Sequence, residues 1–115
     1  MKEDKLESER LTEIQELMKY LSTRAEESMS SYGGFIASIQ KDGILSLKVK
    51  ELIAIALSIS SQCEWCIPYH VKMALEYGAT EKEIIEAGMI AVLMCGSPAL
   101  MHMIPLKRAL DEFRK

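Results

Sequence analysis

Two cysteines three residues apart, in Cys63-Glu64-Trp65-Cys66, carry the strongest chemical signal in the chain. Cysteines at that spacing in the first turns of a helix can close a disulfide locally, and the unpaired amides of a helix start favour a thiolate there. The thiolate is the form that attacks peroxides and disulfides. His70 follows Cys66 by four residues and Cys63 by seven, which puts all three on one helical stripe. An imidazole one turn from a thiol can take its proton and return it, because its unperturbed pKa lies near neutrality. The competing reading of His70, a single histidine on a half-buried face, is an ordinary core histidine. Glu51 is the fourth candidate, at the edge of a long apolar run where a carboxylate is costly unless it is partnered. Lys48 and Lys50 mark that end of the run as wetted, so a solvated surface charge is the competing reading of Glu51.

The same residue types admit two other readings. Cys63, Cys66 and His70, with Cys95 as a fourth, are suitable metal ligands. Residues three, four and seven apart on a helix spread along it instead of converging on one point, which makes a metal-binding module awkward. In the third reading the cysteines are incidental and the chain is a non-catalytic helical assembly protein. Cys95, between an apolar run and Gly96, reads as a small buried hydrophobe and stays outside the site. His102, among Met101, Met103 and Ile104, reads as a neutral core or interface histidine. Most of the eight methionines, including Met89, Met94 and Met103, fall in apolar helices and read as core or interface packing. Trp65 and Tyr69 flank the cysteine pair as packing or access-shaping residues, with no catalytic role assigned.

The elements that must position these side chains are helical. From Leu11, the residues Ile14, Leu17, Met18, Leu21 and Ala25 recur in steps of three and four, which predicts a first helix over Lys5 to Ser28. Ser30-Ser31 and Gly33-Gly34 should break it, leaving a short second helix from Phe35 to Ile39 that Asp42-Gly43 ends. Ser46 caps a third helix, Leu47 to Ser60, in which Leu52 to Ile59 should be buried on most sides. A strand competes over Leu52 to Leu57, but two alanines and the charged approach favour helix. A fourth helix runs from about Gln62 to Gly78. Pro68 removes a backbone donor in its first turns, which allows a later start and leaves Cys63 in the preceding turn. Thr80 with Glu83 is a capping-box signature opening a fifth helix to about Cys95. Ser97-Pro98 opens a sixth toward Phe113, with a kink or restart at Pro105. The expected architecture is all-α, a single domain over residues 1–115 with about six helices.

Bulk properties narrow the function classes. The chain has 115 residues, 49% of them hydrophobic, enough to build one core. With 14 basic against 17 acidic residues and no large basic cluster, nucleic acid is a poor partner. Met1 to Arg10 is densely charged and lacks the apolar stretch of a secretory signal, so a cytoplasmic protein is expected. In that reducing compartment, three cysteines point to redox, catalytic or metal chemistry more than to a structural framework. Ala87 to Leu106 has no Asp, Glu, Lys or Arg, but Gly96-Ser97-Pro98 cuts it into pieces too short to cross a bilayer, so no membrane span is expected. Apolar helices in so short a chain leave surface for a subunit contact.

Taken together, Glu51, eleven residues, Cys63-x-x-Cys66, three residues and His70 resemble the redox branch of the carboxymuconolactone decarboxylase family, the alkylhydroperoxidase D-like proteins. The resemblance covers roughly residues 45–110, with Gly78-Ala79-Thr80 and the segment from Ala91 to Ser97 matching the turn and helix after the motif. It implies a helical-hairpin core and a thiol-dependent peroxidase or disulfide oxidoreductase with an antioxidant role. It implies no bound metal or flavin cofactor, and recharging by an external thiol reductant. Homo-oligomers, often trimers or hexamers, are also implied. Carried over, Cys66 is the attacking thiolate, Cys63 the resolving thiol, and His70 with Glu51 the proton relay. In the thioredoxin pattern, by contrast, the first cysteine attacks. One departure matters: the best-studied peroxidase branch has a His immediately before the second cysteine, where this chain has Trp65. A shorter relay and weaker direct peroxide reduction are expected. The decarboxylase branch lacks the cysteine pair, which makes lactone decarboxylation the lesser expectation.

Overall fold

The computed structural model describes residues 6–114, and among them every regular element is helical. Seven helices follow in order: α1 (Glu7–Arg24), α2 (Glu26–Ile39), α3 (Leu47–Ser60), α4 (Cys66–Glu76), α5 (Glu81–Cys95), α6 (Ser97–Met101) and α7 (Met103–Phe113). The strand alternative for Leu52 to Leu57 is thereby ruled out, since that segment is the middle of α3.

Local signals set most of the helix ends. The Ser46 hydroxyl accepts from the Val49 amide and starts α3. At α5 the exchange is reciprocal: Thr80 Oγ1 accepts from the Glu83 amide, and a Glu83 carboxylate oxygen accepts from the Thr80 amide. Gly78 and Gly96, at φ +94° and +77°, follow α4 and α5 in conformations that strain any residue with a Cβ.

The core forms where α3, α4, α5 and α7 meet. Ile55 and Ile59 of α3, Ile67, Val71 and Ala74 of α4, Ile84 and Ala91 of α5, and Leu106, Ala109 and Leu110 of α7 are buried. Each fully buried Ile, Leu or Val contributes about 1.5–3 kcal/mol. Gly88 of α5 sits tightly against its neighbours: a Cβ there would lie 2.7 Å from Met103 Sδ and 3.1 Å from Ile59 Cδ1. No helix among the described residues is long and apolar enough to cross a membrane.

Several boundaries differ from the sequence expectation, each for a physical reason. The first helix does not run to Ser28, because Ala25, at φ −138° and ψ 58°, interrupts it; its expected start at Lys5 lies outside the described residues. α2 then runs straight through Ser30-Ser31 and Gly33-Gly34. Glycine penalises a helix by about 1 kcal/mol but does not block its hydrogen bonds, so a pair of glycines need not end one. α4 begins at Cys66, not Gln62, since Gln62 has φ 58° and Cys63 to Trp65 form the turn before it. Pro68 thus falls in the first turn of α4, where a missing N–H is tolerated, although the bonds from Ile67 to Cys63 and from Tyr69 to Trp65 flank the one it cannot make.

The expected sixth helix is two, separated at His102 and not at Pro105. Pro105 cannot donate to the turn before it, so the chain restarts three residues earlier, and the His102 ring Nδ1 lies 2.9 Å from the Pro98 carbonyl oxygen. His102 is half-buried with a backbone partner, and is not a core residue. On α3 only one face is covered: Ile55, Ser58 and Ile59 are buried, whereas Ile53 and Leu57 remain 45% and 62% exposed. Met103 packs against the core, while Met89 and Met94 are exposed. Cys95 is also exposed, not buried, as are Leu93 and Met94 in the same last turn of α5.

Candidate active site

The site is built where the start of α4 passes the amino-terminal half of α3. Cys63 and Cys66 are joined by a disulfide, with Cα atoms 5.2 Å apart. Cys63 closes the turn: its amide donates to the Ser58 carbonyl, and its own carbonyl accepts from the Ile67 amide. Cys66 is the first residue of α4, and its amide donates to the Cys63 sulfur at 3.2 Å. An unpaired helix-start amide therefore points at Cys63, where it stabilises negative charge on that sulfur whenever the bond is open.

One helical turn beyond Cys66, His70 meets Glu51 across the α3–α4 contact, with Nδ1 2.7 Å from Oε1. Glu51 is only 2% exposed, so the solvated-surface reading of this carboxylate fails. A buried carboxylate is tolerated where it has polar partners, and the imidazole supplies one. An ionised carboxylate only accepts, which places the imidazole proton on Nδ1 and leaves Nε2 as the basic nitrogen. The sequence motif thus becomes a spatial one: three of the four singled-out residues lie on the α4 start and its turn, and the fourth faces them from α3.

The structure adds residues that spacing did not single out. Gln40, the C-cap of α2, places Nε2 3.5 Å from the second Glu51 oxygen. Gln40 also lies beside the Tyr69 phenol, whose pKa is raised by burial and by the nearby Glu51 charge, against a lowering effect of Gln40. The Tyr69 ring meets the His70 ring edge-on, centroids 5.0 Å apart. No local pattern joins Gln40 to Glu51, so periodicity had no means of finding it. Tyr69 was visible beside the motif, but its partners were not.

A second cluster ties the redox turn to α1. Arg10 Nη2 lies 3.0 Å from a Glu64 oxygen, and the Arg10 guanidinium sits 5.9 Å from the Trp65 ring centroid. The Trp65 indole donates to Glu13 at 2.8 Å. Arg10 also pairs at 3.2 Å with Glu7, which is wholly buried and whose pKa is raised chiefly by that burial, against the lowering effect of Arg10. Cys95 belongs to neither cluster, and no group of three or more His, Cys, Asp or Glu among the described residues could hold a metal ion.

A vicinal dithiol beside a carboxylate-oriented imidazole can carry out two-electron exchange, with the sulfurs supplying electrons and the imidazole moving a proton. Known proteins of the same shape share this scaffold. A carboxymuconolactone decarboxylase family protein from Legionella pneumophila, solved in its apo form, superposes with a TM-score of 0.90 at 33% identity, covering 95% of this chain and 97% of that one. A family member from Thermotoga maritima with a suggested involvement in antioxidative response superposes with a TM-score of 0.83 at 28% identity, covering 92% and 90%. An uncharacterized protein of Cupriavidus necator is 36% identical over 93 residues, which is 81% of this chain and 82% of that protein. Residues 25–108 match the sequence pattern of that same family, and with this span covering most of the fold, the chain belongs to the carboxymuconolactone decarboxylase family.

Proposed function

We propose that this protein is a thiol-dependent peroxidase or disulfide oxidoreductase of the alkylhydroperoxidase D-like branch, with an antioxidant role. The observation that carries the reading is the buried Glu51–His70 pair, 2.7 Å long, set one turn beyond a Cys63–Cys66 disulfide.

In the proposed cycle, His70 Nε2 takes the Cys66 proton, and the thiolate attacks the outer oxygen of a hydroperoxide. The O–O bond breaks, Cys66 becomes a sulfenic acid, and the leaving alkoxide takes the proton back from His70 to depart as alcohol. Cys63 then attacks the Cys66 sulfur as a thiolate; the S–O bond breaks, and hydroxide leaves as water with the Cys63 proton. The disulfide so formed has lost two electrons, which an external dithiol returns through a mixed disulfide. The Cys66 amide on the Cys63 sulfur favours Cys63 as a thiolate, the form in which it resolves the sulfenic acid and leaves during recharging, while the choice of Cys66 as attacker rests on the family resemblance and on His70 lying one turn from it. Trp65 precedes Cys66, so a second imidazole is absent from that position and small disulfides are substrates of equal standing with peroxides.

The exposed apolar residues of α3 and α5 support assembly into a homo-oligomer, a trimer or hexamer. A cytoplasmic location fits a dithiol that must be recharged by a reducing pool.

The test is a thiol count with peroxide added to the reduced protein. Wild type should lose two thiols together, and Cys63→Ser should yield a trapped sulfenic acid at Cys66. Full peroxide consumption by Cys66→Ser would reassign the nucleophile. Cysteines that stay reduced under both peroxide and small disulfides would end the enzyme reading.

A further inference from the structure

A carboxylate as buried as Glu51 needs a partner at each oxygen, and His70 serves only Oε1. The partner at Oε2 is the Gln40 amide nitrogen, 3.5 Å away at the long end for such a bond. Gln40 is delivered from outside the core: it caps α2, a helix that buries none of its own residues in this chain. The side chain therefore is not placed there by packing. Its backbone is held by Lys50, whose Nζ donates to the Ile39 and Lys41 carbonyls on either side at 2.8 Å, and its side chain reaches Glu51 and lies beside the Tyr69 phenol. Tyr69 in turn lies against the His70 ring.

We propose that Gln40 and Tyr69 are positioning residues of the proton relay, acting through Glu51 and His70 without touching the sulfurs. An N–H donor to a carboxylate favours its ionised form. An ionised Glu51 holds the His70 proton on Nδ1 and raises the basicity of Nε2, which increases the thiolate fraction of the thiol one turn away. Without Gln40, the buried Glu51 loses its second donor, and the relay weakens. Tyr69, kept as a neutral phenol by burial and by the charge of Glu51, steadies the Gln40 amide and the edge of the imidazole. This inference rests on the relay proposed above, but its test does not depend on any turnover.

The experiment is carried out in a Cys63→Ser/Cys95→Ser background, which leaves Cys66 as the one cysteine, since Cys95 is exposed and would otherwise react. The rate of Cys66 alkylation by iodoacetamide is followed from pH 5 to pH 10. Gln40→Leu is expected to shift the profile to higher pH and slow alkylation at neutral pH by about fivefold, the equivalent of one hydrogen bond of about 1 kcal/mol. Tyr69→Phe should shift it the same way by a smaller factor. In a Glu51→Gln background, Gln40→Leu should have no further effect, because the group it acts through is already neutral.

An unmoved pH profile in Gln40→Leu overturns the inference. So does an equal shift with and without the Glu51 charge, which would mark a general structural effect. If the protein turns over neither peroxide nor disulfide, yet the profile shifts as described, the enzymatic reading fails while the role of Gln40 and Tyr69 stands.

Discussion

The indole nitrogen of Trp65 donates to the Glu13 carboxylate at 2.8 Å, so a residue enclosed by the two cysteines is fastened to a helix 52 positions earlier in the chain. Arg10 does the same for Glu64 at 3.0 Å. Both residues between the cysteines are thereby anchored on α1, whereas the relay hangs from α3. The redox turn is held from two sides by different parts of the sequence.

That double attachment predicts a redox-dependent stability effect. In the oxidised protein the turn is held by the disulfide as well as by α1; in the reduced protein one of these restraints is gone. Glu13→Ala should therefore cost the reduced form more than the oxidised form, by about 0.5–1 kcal/mol for a part-exposed charge-assisted bond. By the thermodynamic cycle, the Cys63/Cys66 potential should become more negative by roughly 10–20 mV, since 30 mV corresponds to about 1.4 kcal/mol. Thermal melts with and without reductant, together with equilibration against glutathione, measure both quantities. Equal melting shifts in the two states would show that the anchor does not sense the disulfide.

Removing the imidazole should impair both chemistry and folding. His70→Ala leaves the buried Glu51 without its Oε1 partner and should cost about 1–3 kcal/mol of stability, while in the folded protein the rate of dithiol oxidation by peroxide falls by about 10²–10⁴-fold, the usual contribution of a positioned acid–base group. Glu51→Gln keeps the shape but removes the charge that orients the ring, and should give a smaller loss in the same direction. Stopped-flow oxidation of the reduced protein decides it. An unimpaired His70→Ala rate would leave the thiols without their proposed base.

How much of this was visible in the sequence depends on the range of the interaction. Ser46 and Thr80 with Glu83 act within one turn and are found where spacing put them; of the expected cysteine–histidine stripe, Cys66 and His70 share α4, whereas Cys63 lies in the turn before it. Where a single local signal was asked to decide a boundary, it failed in an understandable way. Gly33-Gly34 looked like a break but lies inside α2, and Pro105 looked like a kink whereas the chain restarts at His102. Glu51 was ambiguous because Lys48 and Lys50 beside it suggested a wetted end, whereas both are half-buried, Lys48 paired with Glu83 and Lys50 bonded to the Ile39 and Lys41 carbonyls, and Glu51 meets its imidazole on α4, which no window on α3 contains. Gln40, Glu13 and Arg10 reach the site only through tertiary packing, and they carried no pattern to read.

Glu7 should give the protein a pH dependence of its own. Its carboxyl is fully buried, one of its oxygens has no hydrogen-bond partner, and its pKa is raised, first by burial and also by the charges of Glu112 and Glu64, against the lowering effects of Arg10 and Arg108. A carboxyl with a raised folded-state pKa binds its proton more tightly when folded. Its contribution to stability is thus complete below the ordinary carboxylate range and is lost as pH rises through the raised value. Glu7→Gln, neutral at every pH, should therefore gain on the wild type as pH increases from about 4 to 7. Urea midpoints across that range test the sign. A difference between variant and wild type that stays constant with pH would mean that the Arg10 pair fully compensates the burial.

Exposed apolar side chains on two packed helices predict the assembly state. Leu93 and Met94 near the end of α5 are 76% and 77% exposed, and Leu57 on the neighbouring α3 is 62% exposed, although the two helices pack directly on each other through buried Ile55, Ile59 and Ala91. Isolated exposed apolar residues are ordinary, but several of the longest on two packed helices favour a covering partner. If that partner is a second copy of the chain, sedimentation should report a species larger than 13.0 kDa at micromolar concentration. Leu57→Glu and Leu93→Glu should each weaken it, because a charge buried at a contact is costly unless paired. Neither residue lies in the core, so each variant should keep its helical content, and circular dichroism checks that. A wild-type chain that sediments at 13.0 kDa, with its mutants unchanged, would count against assembly through this face.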